Sequence, residues 1–134
     1  MTNVARIWRW AQVRVVIALH DAQIAEHGGG SGTRDQGLLE SAMARPRHLA
    51  TYGEPDAADL AAAYAFGIAR NHAFVDGNKR TALLAAYMFL QLNGYELDAP
   101  EAETVIVVTD VAAGALTETE LAAWFRGHIS EIAP

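Results

Sequence analysis

The sequence predicts an all-α fold, a compact bundle of about six helices around a buried central helix at about residues 78–93. Three observations predict it. From Thr81 to Leu92 nearly every residue is apolar, with strong helix formers and no Gly or Pro until Asn93-Gly94, and a helix that is apolar all round belongs inside a domain. Asp56 to Arg70 is rich in Ala, and Leu60, Ala63, Tyr64, Phe66 and Gly67 give it a packing face. Thr117-Glu118-Thr119-Glu120 is a capping box, in which the Thr and the Glu three residues later satisfy each other's backbone donors.

At 134 residues, with 51% hydrophobic residues, 11 Gly and only 4 Pro, the chain reads as one globular domain, 1–134, with a single core. It contains no Cys, hence no disulfide and no thiolate metal site, which fits a reducing cytoplasm. A net charge of -6 and a pI near 5.2 argue against a nucleic-acid binder, and so against a nuclease. Met1 to Trp10, with Arg6, Trp8 and Arg9, does not read as a signal peptide, and the apolar run around 81–92 is too short to span a bilayer. The expected location is cytoplasmic, without membrane contact.

The elements follow in order. Trp8-Arg9-Trp10 reads as a packed start, with an exposed patch for a partner as the alternative. Ala11 to about Glu26 forms a helix on Val13, Val16, Ile17, Leu19 and Ile24, ended by Gly28-Gly29-Gly30. His20-Asp21 on this helix raises a second reading, the all-helical metal phosphohydrolases, but that site needs a His ligand upstream and none exists here. Asp35 N-caps a short helix from Gln36 to about Ala44, which Pro46 stops. Arg45, Arg47 and His48 form a basic cluster that reads as a solvated helix end, with a contact for an acidic partner as the alternative. After the central helix, Asn93-Gly94 turns the chain and Tyr95-Glu96-Leu97 is a short extended piece. Thr104 to Thr109 is β-branched and reads as a strand on propensity alone. The capping box opens a last helix through Leu121, Trp124, Phe125 and Ile129.

The chemistry lies at Asn71 to Thr81, Asn-His-Ala-Phe-Val-Asp-Gly-Asn-Lys-Arg-Thr. Helix N-termini favour Asp and Glu and disfavour cations, by about 0.3–1 kcal/mol each, yet this helix opens with Lys79 and Arg80. Two cations added to free backbone donors, just after Gly77, make an anion site suited to phosphate. Phe74 anchors the loop and leaves His72 and Asp76 facing that site. A His beside phosphates can take a proton from an incoming hydroxyl, and a lone carboxylate there can hold Mg²⁺. Singly, Asp76-Gly77 is a turn, Asn78 a cap and His72 a loop histidine. Capping alone does not call for Lys-Arg in the first turn, and a turn alone does not call for an aromatic between His and Asp.

His72-Ala-Phe74-Val-Asp76-Gly-Asn78-Lys79-Arg80 resembles the signature of the Doc (death-on-curing) toxins, a branch of the Fic superfamily, whose wider pattern is His-x-Phe-x-Asp/Glu-Gly-Asn-Gly-Arg-x-x-Arg. This chain departs from the wider pattern as Doc proteins do, with Lys79 for the second Gly and Leu83 for the second Arg. The resemblance runs from about Val16 to about Phe125, through Ala18-Leu19-His20-Asp21, Gly32-Thr-Arg-Asp35, Leu38-Leu39-Glu40-Ser41-Ala42, Arg45-Pro46, Asn93-Gly94-Tyr95 and Ala113-Gly114. It implies a helix from about Pro100 to Ala113, against the strand propensity of Thr104 to Thr109.

The resemblance also implies a toxin that transfers the γ-phosphoryl of ATP, with Mg²⁺, to a threonine of elongation factor Tu, inhibiting translation. The Fic alternative is transfer of AMP to a protein hydroxyl. Carried over, His72 is the general base, Asp76 the Mg²⁺ ligand, and Gly77, Asn78, Lys79 and Arg80 the phosphate cradle. Arg70, at a helix C-terminus that itself favours a cation, is a further phosphate contact. With Lys79 crowding the usual cradle, ATP would sit reversed, its γ-phosphate towards the base. The implied partner is a Phd-like antitoxin whose C-terminal segment folds on the toxin.

Overall fold

The computed structural model describes residues 7–133, so the reading of Met1 to Arg6 as no leader lies outside the described residues. Six helices follow in order: α1 (Val13–His27), α2 (Gln36–Tyr52), α3 (Ala57–Asn71), α4 (Asn78–Leu92), α5 (Glu101–Ala113) and α6 (Glu118–His128). Two three-residue strands, β1 (Tyr95–Leu97) and β2 (Ile129–Glu131), pair antiparallel with Glu96 opposite Ser130. None of the described helices is long and apolar enough to cross a membrane.

The expected all-α bundle is present, but its hub is α3 instead of the helix at 78–93. Eleven residues of α3 are buried, from Ala57 and Ala58 to Ile68 and Ala69, and it packs against α2, α4, α5 and α6. Its run of Ala lets four neighbours approach closely, and Tyr64 and Leu60 fill the space between them. Asp56 caps it: the Asp56 carboxylate accepts from Asp59 N at 2.8 Å, and the Asp59 carboxylate accepts from Asp56 N at 3.0 Å. By contrast α4 buries Thr81, Ala82, Ala85, Ala86, Phe89 and Leu90 on one side, leaving Lys79, Arg80, Tyr87 and Leu92 exposed. Its apolar outer residues line a cleft and a surface that the linear reading placed in the core.

Two boundaries also differ. Pro46 does not stop α2, which continues to Tyr52 with Pro46 buried inside it. A mid-helix proline removes one N–H and presses on the carbonyl of residue i−4, at a penalty of about 3 kcal/mol. Here burial of the ring and the packing of α2 along α3 offset it. Ile129 lies past the end of α6 and opens β2, drawn into extended form by pairing with Leu97. The capping box holds as expected, with Glu120 N donating to Thr117 Oγ1 at 3.1 Å and Thr117 N donating to Glu120 Oε1 at 3.0 Å.

The expected helix over Thr104 to Thr109 forms despite its β-branched residues, because Val108 and Val111 are buried against the bundle. The aromatic start packs: the Trp8 and Trp10 rings lie 5.9 and 6.0 Å from the Phe89 ring, and Arg47 lies over Trp10. The side chain of Asn93, in the exit turn, holds the same segment through Arg9 N at 2.9 Å and Arg9 O at 2.8 Å.

Candidate active site

The loop joining α3 to α4 begins at His72, which closes α3 in the left-handed conformation (φ 49°, ψ 47°), the one non-glycine residue with positive φ among those described. Such a conformation costs an L-residue roughly 1–2 kcal/mol, and the segment before α2 supports it. Arg34 Nε and Nη2 donate to the His72 carbonyl at 2.9 and 2.6 Å. Arg34 N and Asp35 N both donate to the Ala73 carbonyl, and Val75 N donates to the Gly32 carbonyl at 3.1 Å. The loop is thus laced to residues 32–35 by the Arg34 side chain and by backbone bonds that need no particular side chain.

Phe74 is the expected anchor, 1% exposed. Asn78 has a role the sequence did not disclose: its Oδ1 accepts from Phe74 N and its Nδ2 donates to the Phe74 carbonyl, each at 3.0 Å. Its side chain clamps the anchor, so what it presents to an anion is its backbone N–H.

Among the described residues, Asp76 is the single carboxylate lining a cleft of about 740 Å³ between α1, α4 and α5. Its Oδ1 accepts from Gly77 N at 2.8 Å and its Oδ2 from Gly30 N at 3.3 Å. Gly29 (φ 125°) runs beneath it, and a Cβ there would meet Asp76 Oδ2 at 2.7 Å. Gly77 (φ 76°) serves as the N-cap of α4 and supplies no capping side chain; a Cβ at that position would overlap Gln23 Nε2. The first N–H groups of α4 therefore face the cleft without a side-chain acceptor from the cap.

His72, Asp76, Gly77, Asn78, Lys79 and Arg80 all line this one cleft, with Leu83 where the wider pattern has its second Arg. Arg70 does not line it. Arg70 lies over the Phe66 ring, and its guanidinium fills the space beside Gly114 at the end of α5. The opposite wall, from Val105, Val108, Thr109 and Ala112 of α5, is aliphatic apart from the Thr109 hydroxyl.

Sequence reasoning missed the contribution of α1. His27 and Gln23 line the cleft, and Arg80 Nη1 donates to Gln23 Oε1 at 3.5 Å. Gln23 Nε2 is buried with no acceptor among the described residues. His20-Asp21, weighed as a metal pair, does not build a metal site: His20 is fully buried behind the loop, and no group of three His, Asp or Glu able to hold a metal forms among the described residues. Only the helical spacing of His20, Gln23 and Ile24 hinted that they share a face.

The model of the Fic/DOC family matches residues 10–90. The chain is 40% identical over 104 residues to protein kinase doc of Escherichia phage P1, covering 76% of this chain and 78% of that protein. It is 52% identical over 75 residues to toxin Doc of Mycolicibacterium smegmatis (strain ATCC 700084 / mc(2)155), covering 54% of this chain and 57% of that protein. The match includes the loop, the α4 N-terminus and the α1 residues behind them, and by it the chain belongs to the Doc family of the Fic/Doc superfamily, as a toxin of Doc type.

Proposed function

We propose that this chain is the toxin of a cytoplasmic toxin–antitoxin pair and a protein kinase of Doc type, moving the γ-phosphoryl of ATP to a threonine of elongation factor Tu and so inhibiting translation. The observation that carries the reading is the convergence on one cleft of His72, Asp76 and an α4 N-terminus flanked by Lys79 and Arg80. The kinase named among its relatives supports the reaction class.

The residues suit the groups such a reaction needs. A cleft of about 740 Å³ matches the size of small-molecule sites. Uncapped N–H groups and two cations suit phosphate oxygens. One exposed carboxylate, with no second acid in the lining, suits Mg²⁺ that takes its other ligands from nucleotide and water. Bound there through Asp76, Mg²⁺ would neutralise phosphate charge.

The rest falls to the chain itself. His72 takes the proton of the threonine hydroxyl, whose oxygen bonds to the γ-phosphorus. The bond from that phosphorus to the β–γ bridging oxygen breaks, and ADP leaves. Lys79 and Arg80, with the Asn78 and Lys79 N–H groups, hold phosphates in line. The partner that restrains the toxin is a Phd-like antitoxin whose C-terminal segment folds onto it.

The test incubates the protein and a His72→Ala control with elongation factor Tu, Mg²⁺ and ATP labelled at the α- or the γ-phosphate. Label on the factor from γ alone, absent with His72→Ala, is expected. Label from α instead moves the protein to AMP transfer, and label from neither rejects the substrate.

A further inference from the structure

Behind the loop, α1 presents a fully buried histidine that the proposed chemistry does not use. The His20 ring stacks on Phe74 with centroids 3.9 Å apart and planes 9° from parallel. Its Nε2 lies 2.8 Å from the Asp76 carbonyl oxygen, and its Nδ1 lies 3.2 Å from the carboxylate of Asp21, which is largely exposed. A carbonyl oxygen only accepts, so Nε2 carries the proton and donates.

That bond fixes more than a carbonyl. The peptide unit is planar, so the Asp76 C=O and the Gly77 N–H turn together. The Gly77 N–H is the donor that holds Asp76 Oδ1 at 2.8 Å. A donor from α1 to one side of the plane therefore sets where the other side aims the carboxylate. Gly77, at φ 76°, supplies little steric restraint of its own.

We infer that His20 is a positioning residue for the Asp76 carboxylate, acting through the shared Asp76–Gly77 peptide plane. The inference rests on the reading of Asp76 as the metal-bearing carboxylate. Packing alone does not call for this side chain, since an apolar ring would stack on Phe74 without burying two nitrogens. Partners that orient a metal-binding carboxylate typically carry 10–100-fold in metal affinity.

Two substitutions separate the hydrogen bond from the stack. His20→Phe keeps the ring and loses the donor, whereas His20→Gln keeps an amide donor and loses the ring. The readout is Mn²⁺ bound to the full chain with the non-hydrolysable analogue AMP-PNP, followed by electron paramagnetic resonance, with thermal melting to verify folding. His20→Phe is expected to weaken Mn²⁺ binding about 10-fold or more and His20→Gln by less than about 3-fold, with Asp76→Asn losing it. Equal weakening in both His20 variants, the reverse order, or normal binding in His20→Phe overturns the inference. Should His20→Phe not fold, His20→Met, which fits irregular space more readily, takes its place under the same criteria. Normal Mn²⁺ binding in Asp76→Asn instead overturns the metal reading of Asp76 itself, and the inference with it.

Discussion

Asn78→Ala separates the two roles open to that residue, phosphate contact and loop clamp. Its amide satisfies both the N–H and the C=O of Phe74, a residue 1% exposed, through two bonds of 3.0 Å. Removing a partner from a buried polar group costs about 1–3 kcal/mol. Two such groups lost together, with some access for water at the half-buried Asn78 position, should cost about 2–3 kcal/mol. Unfolding entropy near 2.1 cal/mol/K per residue converts each kcal/mol into about 3.6 °C for a chain of 134 residues, so melting should fall by about 7–11 °C. Differential scanning calorimetry reads this directly, with Lys79→Ala beside it. Lys79 is exposed, and its loss should move stability by no more than about 0.5 kcal/mol while lowering transfer. If Asn78→Ala melts like the wild type and loses only nucleotide affinity, the clamp is refuted and the side chain is a ligand.

Three further outcomes follow from the geometry. His72→Gly should abolish labelling of the protein substrate without lowering the melting temperature, because relief of roughly 1–2 kcal/mol of left-handed strain outweighs the roughly 0.5–1 kcal/mol of chain entropy that glycine adds; a clear loss of stability would contradict this. The Arg126 guanidinium beside Asp56 holds its carboxyl down at about 2, against an ordinary 3.8, so its stabilisation is present above pH 3.8 and is lost as pH falls towards 2. The pair is about half exposed and worth no more than about 1 kcal/mol; the gap in urea midpoint between wild type and Asp56→Asn, which keeps the cap acceptor, should close over that interval. Burial pushes the Tyr64 hydroxyl up to about 12, so the unfolded chain ionises first and stability falls as pH rises from 10 towards 12. Tyr64→Phe should remove that alkaline component while costing about 1–3 kcal/mol at neutral pH, since the buried N–H of Ala11 loses its acceptor at 3.1 Å; denaturant melts at pH 7 and 11 check both.

The sequence disclosed what local chemistry encodes. The capping box at Thr117, the glycine exits and the concentration of His72, Asp76, Lys79 and Arg80 within nine residues are short-range signals, and most helix ends and the loop position followed from them, whereas the helix over Thr104 to Thr109 came only from the family resemblance, against local propensity. The hub was misplaced because the run from Thr81 to Leu92 within α4 carries the larger apolar side chains, whereas α3 is the better buried. Small residues, more than greasy ones, let a helix be surrounded on several sides. Pro46 and Ile129 were misread because long-range packing and strand pairing overrode local rules. Arg34, His20 and Gln23 were not legible as site residues, for each acts on a residue 38 to 57 positions away.

That division of labour has a thermodynamic consequence. His72, Asp76, Lys79 and Arg80 are exposed, so none contributes much to the core, and each can be tuned for binding at little expense in stability. His20, Phe74 and Thr81 are buried, and Asn78 half-buried, so changes there fall on the fold and the cleft together. The strained His72 persists because the Arg34 fork and the bonds from residues 32–35 fix the backbone from its carbonyl onward. On the proposed reading of His72 as the base, a side chain held in this way by remote elements is aimed before any nucleotide arrives, and loosening Arg34 should therefore slow transfer more than it weakens nucleotide binding.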